Sequence, residues 1–242
     1  MIPIKDVIPR RETPFVNYVL ILVNIVVFLY EVSLPPDILN RFFYIFGLVP
    51  ARYTHPEWAY FAGLHIDNYW PFFTNMFLHG SWFHLISNMW TLYIFGDNVE
   101  DRLGHFKYLI FYILSGLAAS FTHFIFNVDS VVPAVGASGA IAGVMGAYFI
   151  MFPHSRIITL IPVFFFPFFF EIPAVVFLGF WFFSQIISGT FTLIVNQNAS
   201  GIAWWAHIGG FVFGMLFHKF FKKNNDYYRD YFPDELLYRY FR

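Results

Sequence analysis

Long, continuous apolar runs dominate the pattern of this chain. They show neither the alternation of apolar and polar residues that is typical of a half-buried strand nor the single apolar face of a surface helix. A helix needs about 20 apolar residues to cross the roughly 30 Å of hydrocarbon in a bilayer. The pattern therefore predicts an all-α membrane protein with six transmembrane helices. The predicted spans are residues 15–34, 76–95, 106–126, 138–152, 173–188 and 203–221.

Residues 157–170 are as apolar as these spans, but Pro162 and Pro167 interrupt them. A proline inside a helix removes a backbone hydrogen bond and clashes with the preceding turn. Two interpretations of this segment stay open from the sequence: a distorted start of the fifth span, or a segment that lies at the membrane interface.

The beginning of the chain has the basic residues and the apolar run of a signal peptide. Lys5, Arg10 and Arg11 precede the first run. That run is longer than the apolar region of an ordinary signal peptide, and residues 31–34 (EVSL) offer no small-residue cleavage site. We interpret the run as an uncleaved first transmembrane helix.

Basic residues fall almost entirely on one side of the six predicted spans. Of the 14 Lys and Arg residues, all but Arg41 and Arg52 lie on the side that carries both termini. Because short cytoplasmic connections collect positive charge, both termini are predicted to be cytoplasmic. The predicted organisation is a cytoplasmic N-terminus (1–14), a membrane domain (15–221) and a cytoplasmic tail (222–242), in a multi-pass protein of the cell's inner membrane.

The composition supports a bilayer as the surrounding medium and excludes several kinds of site. Hydrophobic residues make up 58% of the chain and charged residues 12%, whereas roughly a quarter of an ordinary soluble domain is charged. The net charge of −1, with no basic face, argues against a nucleic-acid partner. The chain has no cysteine, which excludes disulfides, thiolate metal sites and cysteine nucleophiles. It also lacks a His-Glu-x-x-His metal motif and a pair of intramembrane aspartates, so we predict neither a metal nor any other cofactor.

Polar residues are costly inside a membrane, and a cluster of them indicates function. His84 and Asn88 lie four residues apart at the start of the second span, so they share one helix face. Ser138 begins the fourth span, and His207 lies near the start of the sixth. A serine hydroxyl beside a neutral imidazole is the minimum for an activated nucleophile.

Small residues at four-residue spacing follow both Ser138 and His207, and such stripes allow helices to approach closely in lipid. If the two stripes pack together, the serine and the histidine lie at the same end of the contact, on the outer side of the membrane. The stripes are Gly139, Gly143 and Ala147 in the fourth span, and Gly210 and Gly214 in the sixth.

The fourth span is short for a membrane-crossing helix. From Ser138 to Phe152 it measures roughly 22 Å at about 1.5 Å per residue, which is less than the roughly 30 Å of hydrocarbon. Ser138 is therefore predicted to begin a recessed helix, below the outer surface and in a water-filled site. The backbone N–H groups of the helix start, with the side chains of His84 and Asn88, can donate to a developing oxyanion. No carboxylate is placed to orient His207, so we predict a Ser138–His207 dyad.

In this order and spacing, the motifs resemble the rhomboid family over roughly residues 70–220, and they are specific jointly rather than singly. The resemblance implies a six-helix rhomboid fold and a serine endopeptidase that cleaves transmembrane segments of membrane-protein substrates. It assigns Ser138 as nucleophile, His207 as base, and His84 and Asn88 as oxyanion donors. The segments that carry it are residues 79–88 (HGSWFHLISN), 96–104 (GDNVEDRLG), 136–139 (GASG) and 206–214 (AHIGGFVFG).

The same resemblance implies that the fifth span and the 189–202 connection gate the lateral access of substrate, with Trp181 and Gln185 near that gate. Some relatives carry an aromatic residue four positions after the serine that stacks on the histidine. This chain has Ala142 there, so the positioning of His207 must come from another contact. The alternative function is a catalytically inactive rhomboid-like protein that binds membrane clients, which absence of the serine or histidine would favour.

Overall fold

The computed structural model describes residues 1–163, 166–195 and 203–223, and most of this part of the chain is helical. A 3-10 turn covers Asn75–Phe77. In chain order the helices are α1 (Phe15–Ser33), α2 (Pro36–Phe46), α3 (Ala51–Thr54), α4 (Pro56–Phe61), α5 (Pro71–Thr74), α6 (Trp82–Leu103), α7 (His105–Phe126), α8 (Ser138–Met151), α9 (Ala174–Val195) and α10 (Trp204–Phe221).

Three of these helices have both the length and the hydropathy of a membrane-crossing helix. They are α1, α7 and the Ala174–Ile194 part of α9. Helix α8 is equally apolar but has only 14 residues. The observed bounds of α1, α7 and α8 differ from the predicted spans by no more than about one residue at each end. Apolar run length was therefore a good guide to where these three helices begin and end.

Helix α8 lies at the centre of the helices and contacts α6, α7, α9 and α10. Every residue from 139 to 148 is buried. A helix that is apolar on all sides is typical of such a surrounded position. The residue at its start is therefore held by neighbours on several sides.

The second predicted span is wrong in its bounds, because residues 76–95 were predicted and α6 covers Trp82–Leu103. Ser81 caps the start of α6, since its hydroxyl accepts the backbone N–H of His84 at 3.2 Å. At the other end, Gly104 ends the helix with a φ of 81°. The last turns of α6 are polar yet buried, and hydropathy alone does not assign such residues to a helix. These buried residues are Asn98, Glu100, Asp101 and Arg102.

The all-α prediction is wrong for one part of the chain, which forms a three-stranded antiparallel sheet. Strands β2 (Arg156–Val163) and β3 (Phe166–Pro173) form a hairpin in which Pro162 lies opposite Pro167, and β1 (Ile2–Asp6) pairs with β2. Residues 157–170 are thus not a distorted start of the fifth helix. The prolines prevent a helix, and the β-branched residues of β2 favour an extended chain. Their position at a membrane interface stays a prediction.

The sheet is attached to the end of the bundle where α8 ends and α9 begins. The Asp6 carboxylate of β1 accepts hydrogen bonds from Asn98 of α6 at 2.7 Å and from the Tyr148 hydroxyl of α8 at 2.6 Å. The Tyr148 hydroxyl also lies 2.9 Å from the Ser155 hydroxyl. Residues 1–14, predicted only as a cytoplasmic N-terminus, thereby contribute a strand that links two helices.

The fifth helix is longer than predicted. The predicted span ends at residue 188, whereas α9 continues to Val195. The first part of the predicted 189–202 connection is therefore helical. Residues 196–202 and the tail from 224 to 242 lie outside the described residues.

Candidate active site

The start of α8 meets the start of α10, and this contact brings Ser138 and His207 together. Ser138 is the first residue of α8, and His207 lies in the first turn of α10. The Ser138 Oγ atom lies 2.7 Å from the His207 Nε2 atom. His207 is only 9% exposed, and a hydrogen bond is stronger where protein replaces water around it. The two residues predicted as nucleophile and base are thus in hydrogen-bonding contact.

Glycines permit the close approach of α8 and α10 beyond this pair. A Cβ atom built on Gly143 would lie 3.3 Å from the Gly210 carbonyl oxygen, and one built on Gly214 would lie 2.7 Å from the Gly143 carbonyl carbon. Larger side chains at these positions would force the two backbones apart. The structure confirms that the two small-residue stripes pack against each other, with Ser138 and His207 at the same end.

His84 of α6 approaches Ser138 across Gly136, which lies two residues before α8. A Cβ atom built on Gly136 would lie 2.7 Å from His84 Nε2 and 3.6 Å from Ser138 Oγ. The φ of Gly136 is 134°, a value that residues with side chains rarely adopt. Its N–H donates to the Asn75 carbonyl oxygen at 2.9 Å. Glycine is therefore required here both by the backbone conformation and by the nearby imidazole.

Asn88, one turn after His84 on α6, is held by His79, a residue for which the sequence predicts no role. Its Nδ2 atom lies 3.0 Å from His79 Nε2, and both residues are buried. The backbone N–H of His79 donates to the Glu31 carboxylate of α1 at 3.1 Å. Glu31 is 1% exposed. A buried carboxylate in an apolar helix is costly. The position of Glu31 in the apolar first span was therefore the sequence signal that could have identified it as a structural partner of His79.

The first turn of α8 supplies backbone donors beside Ser138. The first backbone hydrogen bond of this helix runs from the Ile141 N–H to the Ala137 carbonyl at 3.0 Å. The N–H groups of Ser138, Gly139 and Ala140 consequently have no acceptor within the helix. These donors point along the positive end of the helix dipole, where negative charge is stabilised.

The two residues predicted near a substrate gate, Trp181 and Gln185, both contact His207. Gln185 of α9 is 5% exposed, and its Oε1 atom lies 2.7 Å from His207 Nδ1. The rings of Trp181 and His207 have centroids 5.8 Å apart. Their four-residue spacing places both on one face of α9. These side chains supply the contacts to His207 that Ala142 does not, and their part in a gate stays a prediction.

A small cavity with several polar groups in its lining adjoins Ser138 on the side of α7. It encloses about 20 Å³, which is room for about one water molecule. Its polar lining includes Asn75, Ser120 and His123, and the Asn75 Nδ2 atom donates to Ser120 Oγ at 2.9 Å. The Nε2 atom of buried His123 has no hydrogen-bond partner among the described residues. The serine is therefore bordered by hydrogen-bonding groups on a second side.

Comparison with known protein families gives a match that covers nearly all of these residues. The family model for the rhomboid domain matches residues 67–224. The match includes α6 to α10 and therefore every side chain described around Ser138 and His207, apart from Glu31 of α1.

Curated relatives include three proteins whose names carry the same family term. Rhomboid protein 1, mitochondrial, of Saccharomyces cerevisiae is 30% identical over 158 residues, which cover 61% of this chain and 40% of that protein. RHOMBOID-like protein 6, mitochondrial, of Arabidopsis thaliana is 38% identical over 78 residues, or 32% of this chain and 25% of that protein. Presenilin-associated rhomboid-like protein, mitochondrial, of Homo sapiens is 26% identical over 169 residues, or 64% and 40%. The chain thus spans at most 40% of the length of these relatives.

Proposed function

The chain belongs to the rhomboid family, and on that premise we propose that it is an intramembrane serine endopeptidase that cleaves transmembrane segments of membrane-protein substrates. One observation carries the proposal: the Ser138 Oγ atom lies 2.7 Å from His207 Nε2. A serine becomes a nucleophile when a general base lies within about 2.6–3.2 Å of its hydroxyl. The pair is surrounded by apolar helices, as a site that acts on a transmembrane segment requires.

In this proposal the chain crosses the bilayer six times, with both termini cytoplasmic, as a multi-pass protein of the inner membrane. The membrane domain covers residues 15–221, flanked by residues 1–14 and the tail 222–242. The six crossing helices are α1, α6, α7, α8, α9 and α10. Helices α6 and α10 are roughly 33 and 27 Å long. The placement of twelve of 14 basic residues on one side supports this orientation.

The short α8 supports a recessed position for Ser138. Its 14 residues measure roughly 21 Å, which is less than the hydrocarbon thickness of roughly 30 Å. If α8 ends at the inner boundary of the hydrocarbon, Ser138 lies below the outer surface. Hydrolysis at that depth requires water to reach the serine, and the cavity beside Ser138, which has room for about one water molecule near Asn75, Ser120 and His123, supports such a supply.

The proposed reaction begins with the Ser138 hydroxyl. Its proton passes to His207 Nε2 while Oγ forms a bond to the substrate carbonyl carbon, whose oxygen becomes negatively charged. His207 then gives the proton to the leaving amide nitrogen, and the C–N bond breaks to form an acyl-enzyme. Water then attacks the acyl carbon while His207 Nε2 takes a proton from it. His207 returns that proton to Ser138 Oγ as the bond from Oγ to the acyl carbon breaks, and the carboxylic acid is released.

The oxyanion of this reaction needs donors that are in place before the charge develops. In the proposal they are the backbone N–H groups at the start of α8 and the side-chain N–H groups of His84 and Asn88. The hydrogen bond from Asn88 to His79 supports this role, because it fixes the orientation of the Asn88 amide while leaving that amide a second N–H.

The test is covalent labelling of the purified protein in detergent with a fluorophosphonate probe, with the adduct located by mass spectrometry. We expect an adduct on Ser138, which disappears in Ser138→Ala, and cleavage of a model transmembrane substrate by the unmodified protein alone. A folded protein that neither reacts with the probe nor cleaves the substrate would contradict the proposal. That result would favour the catalytically inactive, client-binding function.

A further inference from the structure

The far side of the His207 ring is held by a buried amide. His207 Nδ1 lies 2.7 Å from Gln185 Oε1, and Gln185 is 5% exposed. The contact joins α9 to α10, whereas the Ser138 contact joins α10 to α8. Among the described residues, Oε1 of Gln185 is the acceptor that faces this nitrogen. His207 is thus bonded through both ring nitrogens.

The orientation of the Gln185 amide is fixed by its nitrogen. Nε2 donates to the Trp181 carbonyl oxygen at 3.2 Å and to the Ser184 hydroxyl at 3.0 Å. Rotating the amide by half a turn would place Oε1 against the Trp181 carbonyl, where two acceptors would repel each other. The surroundings of Gln185 therefore direct its oxygen, not its nitrogen, toward His207.

This orientation decides which ring nitrogen of His207 carries the proton. A carbonyl oxygen only accepts, so Nδ1 of His207 must donate to it as N–H. In a neutral imidazole the other nitrogen, Nε2, then has a free lone pair. That lone pair is the group that can receive the Ser138 proton. With the Gln185 amide reversed, its NH₂ group would donate to Nδ1 of His207. The hydrogen of the neutral ring would then lie on His207 Nε2, and Ser138 could not transfer its proton to that atom.

We infer that Gln185 is the positioning residue of the Ser138–His207 pair: its buried amide oxygen holds His207 in the tautomer and orientation in which Nε2 accepts the serine proton. The inference rests on the proposed function. It gives a neutral amide the place that a carboxylate occupies in a Ser-His-Asp triad. It also explains how His207 is oriented in a chain that has Ala142, not an aromatic residue, four positions after the serine.

This inference differs from a gate role for Gln185 in a measurable way. A gate residue controls how a large transmembrane substrate reaches the serine, so its loss changes substrate cleavage and leaves the reaction of a small probe unchanged. A positioning residue controls the reactivity of the serine itself. Its loss slows both reactions and lowers kcat with little change in KM.

The experiment compares Gln185→Leu and Gln185→Glu in the full-length protein, by the rate of fluorophosphonate labelling at Ser138 and by kcat and KM for a transmembrane substrate. Leu has a similar size but no acceptor, and we expect both the labelling rate and kcat to fall by about 10²-fold or more. Glu keeps an acceptor for Nδ1–H, and we expect it to retain both rates within about tenfold of the unmodified protein.

The matched control is Thr192→Val, which removes a hydroxyl whose hydrogen bond among the described residues lies within α9, to the Gly189 carbonyl at 2.8 Å. We expect it to leave both rates within about twofold of the unmodified value. Thermal unfolding of each variant separates loss of reactivity from loss of fold. Should Gln185→Leu be too unstable to assay, Gln185→Glu still decides, because a fall as large as that of His207→Ala would overturn the inference.

The outcomes also separate this inference from the proposed function. If the unmodified protein labels at Ser138 and Gln185→Leu labels equally fast, the positioning role is wrong while the serine protease remains. Normal labelling of Gln185→Leu with altered substrate cleavage would assign Gln185 to the gate instead. If the unmodified protein does not label at all, the proposed function itself has failed.

Discussion

The two ends of the helix bundle are closed in different ways. At the Ser138 end, Gln185 of α9, His207 of α10 and Ser138 of α8 form a chain of hydrogen bonds, and Asn88 of α6 bonds His79 nearby. At the opposite end, backbone pairing joins β1, β2 and β3, and a few side chains such as Asp6 attach the sheet to the helices. The exposed surface of β3 is apolar, with Phe168 and Phe169 about half exposed or more.

This difference shows which parts of the molecule depend on single side chains. The Ser138 end is sensitive to individual atoms, because Ser138, His207 and Gln185 are joined by specific side-chain hydrogen bonds, and a buried polar group that loses its partner is costly. The sheet end depends mainly on backbone hydrogen bonds that many side chains allow. Substitutions should therefore affect reactivity strongly at the first end and weakly at the second.

The largest effect is expected for His207→Ala. Without the base, Ser138 keeps its proton, and we expect labelling and cleavage to fall by at least about 10³-fold. The double variant with Ser138→Ala should be no less active than either single one, because the two residues act as a unit. His218→Ala, near the other end of α10, is the control and should retain activity. Additive losses in the double variant would show that the two residues act separately.

A smaller but still large effect is expected for Gly143→Ala. The added Cβ would meet the Gly210 carbonyl at 3.3 Å and Ser115 more closely still, so α8 must shift relative to α7 and α10. We expect a loss of stability of about 1–3 kcal/mol. Because misplacement by about 1 Å costs about 10²-fold in rate, cleavage should also fall. Thermal unfolding and cleavage rates measure the two effects.

Gly179→Ala is the matched control for this substitution. Within the part of the chain that the structure describes, its Cβ would meet Phe149 alone, at an ordinary contact distance of 3.7 Å. We expect unchanged activity and equal or slightly higher stability, since alanine favours a helix over glycine by about 1 kcal/mol. Equal losses in the two variants would indicate that helix flexibility, not the close approach, matters at Gly143.

An intermediate effect is expected for Asn88→Ala. Removal of one oxyanion donor should lower kcat by about 10–10³-fold and leave some activity. Ser87→Ala, which removes only a hydroxyl bonded within α6 to the His84 carbonyl at 3.0 Å, is the neighbouring control. If Asn88→Ala has full activity, Asn88 serves only to pack α6 against its neighbours.

The smallest effect on activity is expected for Tyr148→Phe at the sheet end. This change removes the hydroxyl that bonds Asp6 at 2.6 Å and Ser155 at 2.9 Å. We expect a loss of about 1 kcal/mol in stability, with a cleavage rate within about twofold of the unmodified protein. A large loss of cleavage with little loss of stability would show that the two ends are coupled through α8.

The same contrast explains what the sequence could predict. Ser138 and His207 stand out because polar residues are rare in an apolar chain, and glycine spacing then placed them at one end of a helix contact. Apolar run length gave the bounds of α1, α7 and α8. Each of these predictions uses information that is local in the sequence or repeats along one helix.

The remaining features depend on long-range geometry that the sequence does not show. The contact between Gln185 and His207 requires a particular rotation of α9 about its axis. The bond between His79 and Asn88 requires the non-helical turn before α6 to fold back on that helix. Strands β1 and β2 pair although about 150 residues of chain separate them. Apolar strands of this length are not distinguished from helices by hydropathy.

The packing of α8 against α10 has a further consequence for the energetics of substrate binding. Their glycine contacts hold α8 and α10, and with them Ser138 and His207, close together, while Gln185 belongs to α9, a helix with much of its surface exposed. A displacement of α9 that breaks the hydrogen bond between Gln185 and His207 would leave Ser138 and His207 in contact. It would remove the Gln185 amide oxygen that selects the His207 tautomer. A molecule that binds preferentially when α9 is in its observed position would then increase the population of the reactive state. Part of its binding free energy would appear as faster chemistry instead of tighter association.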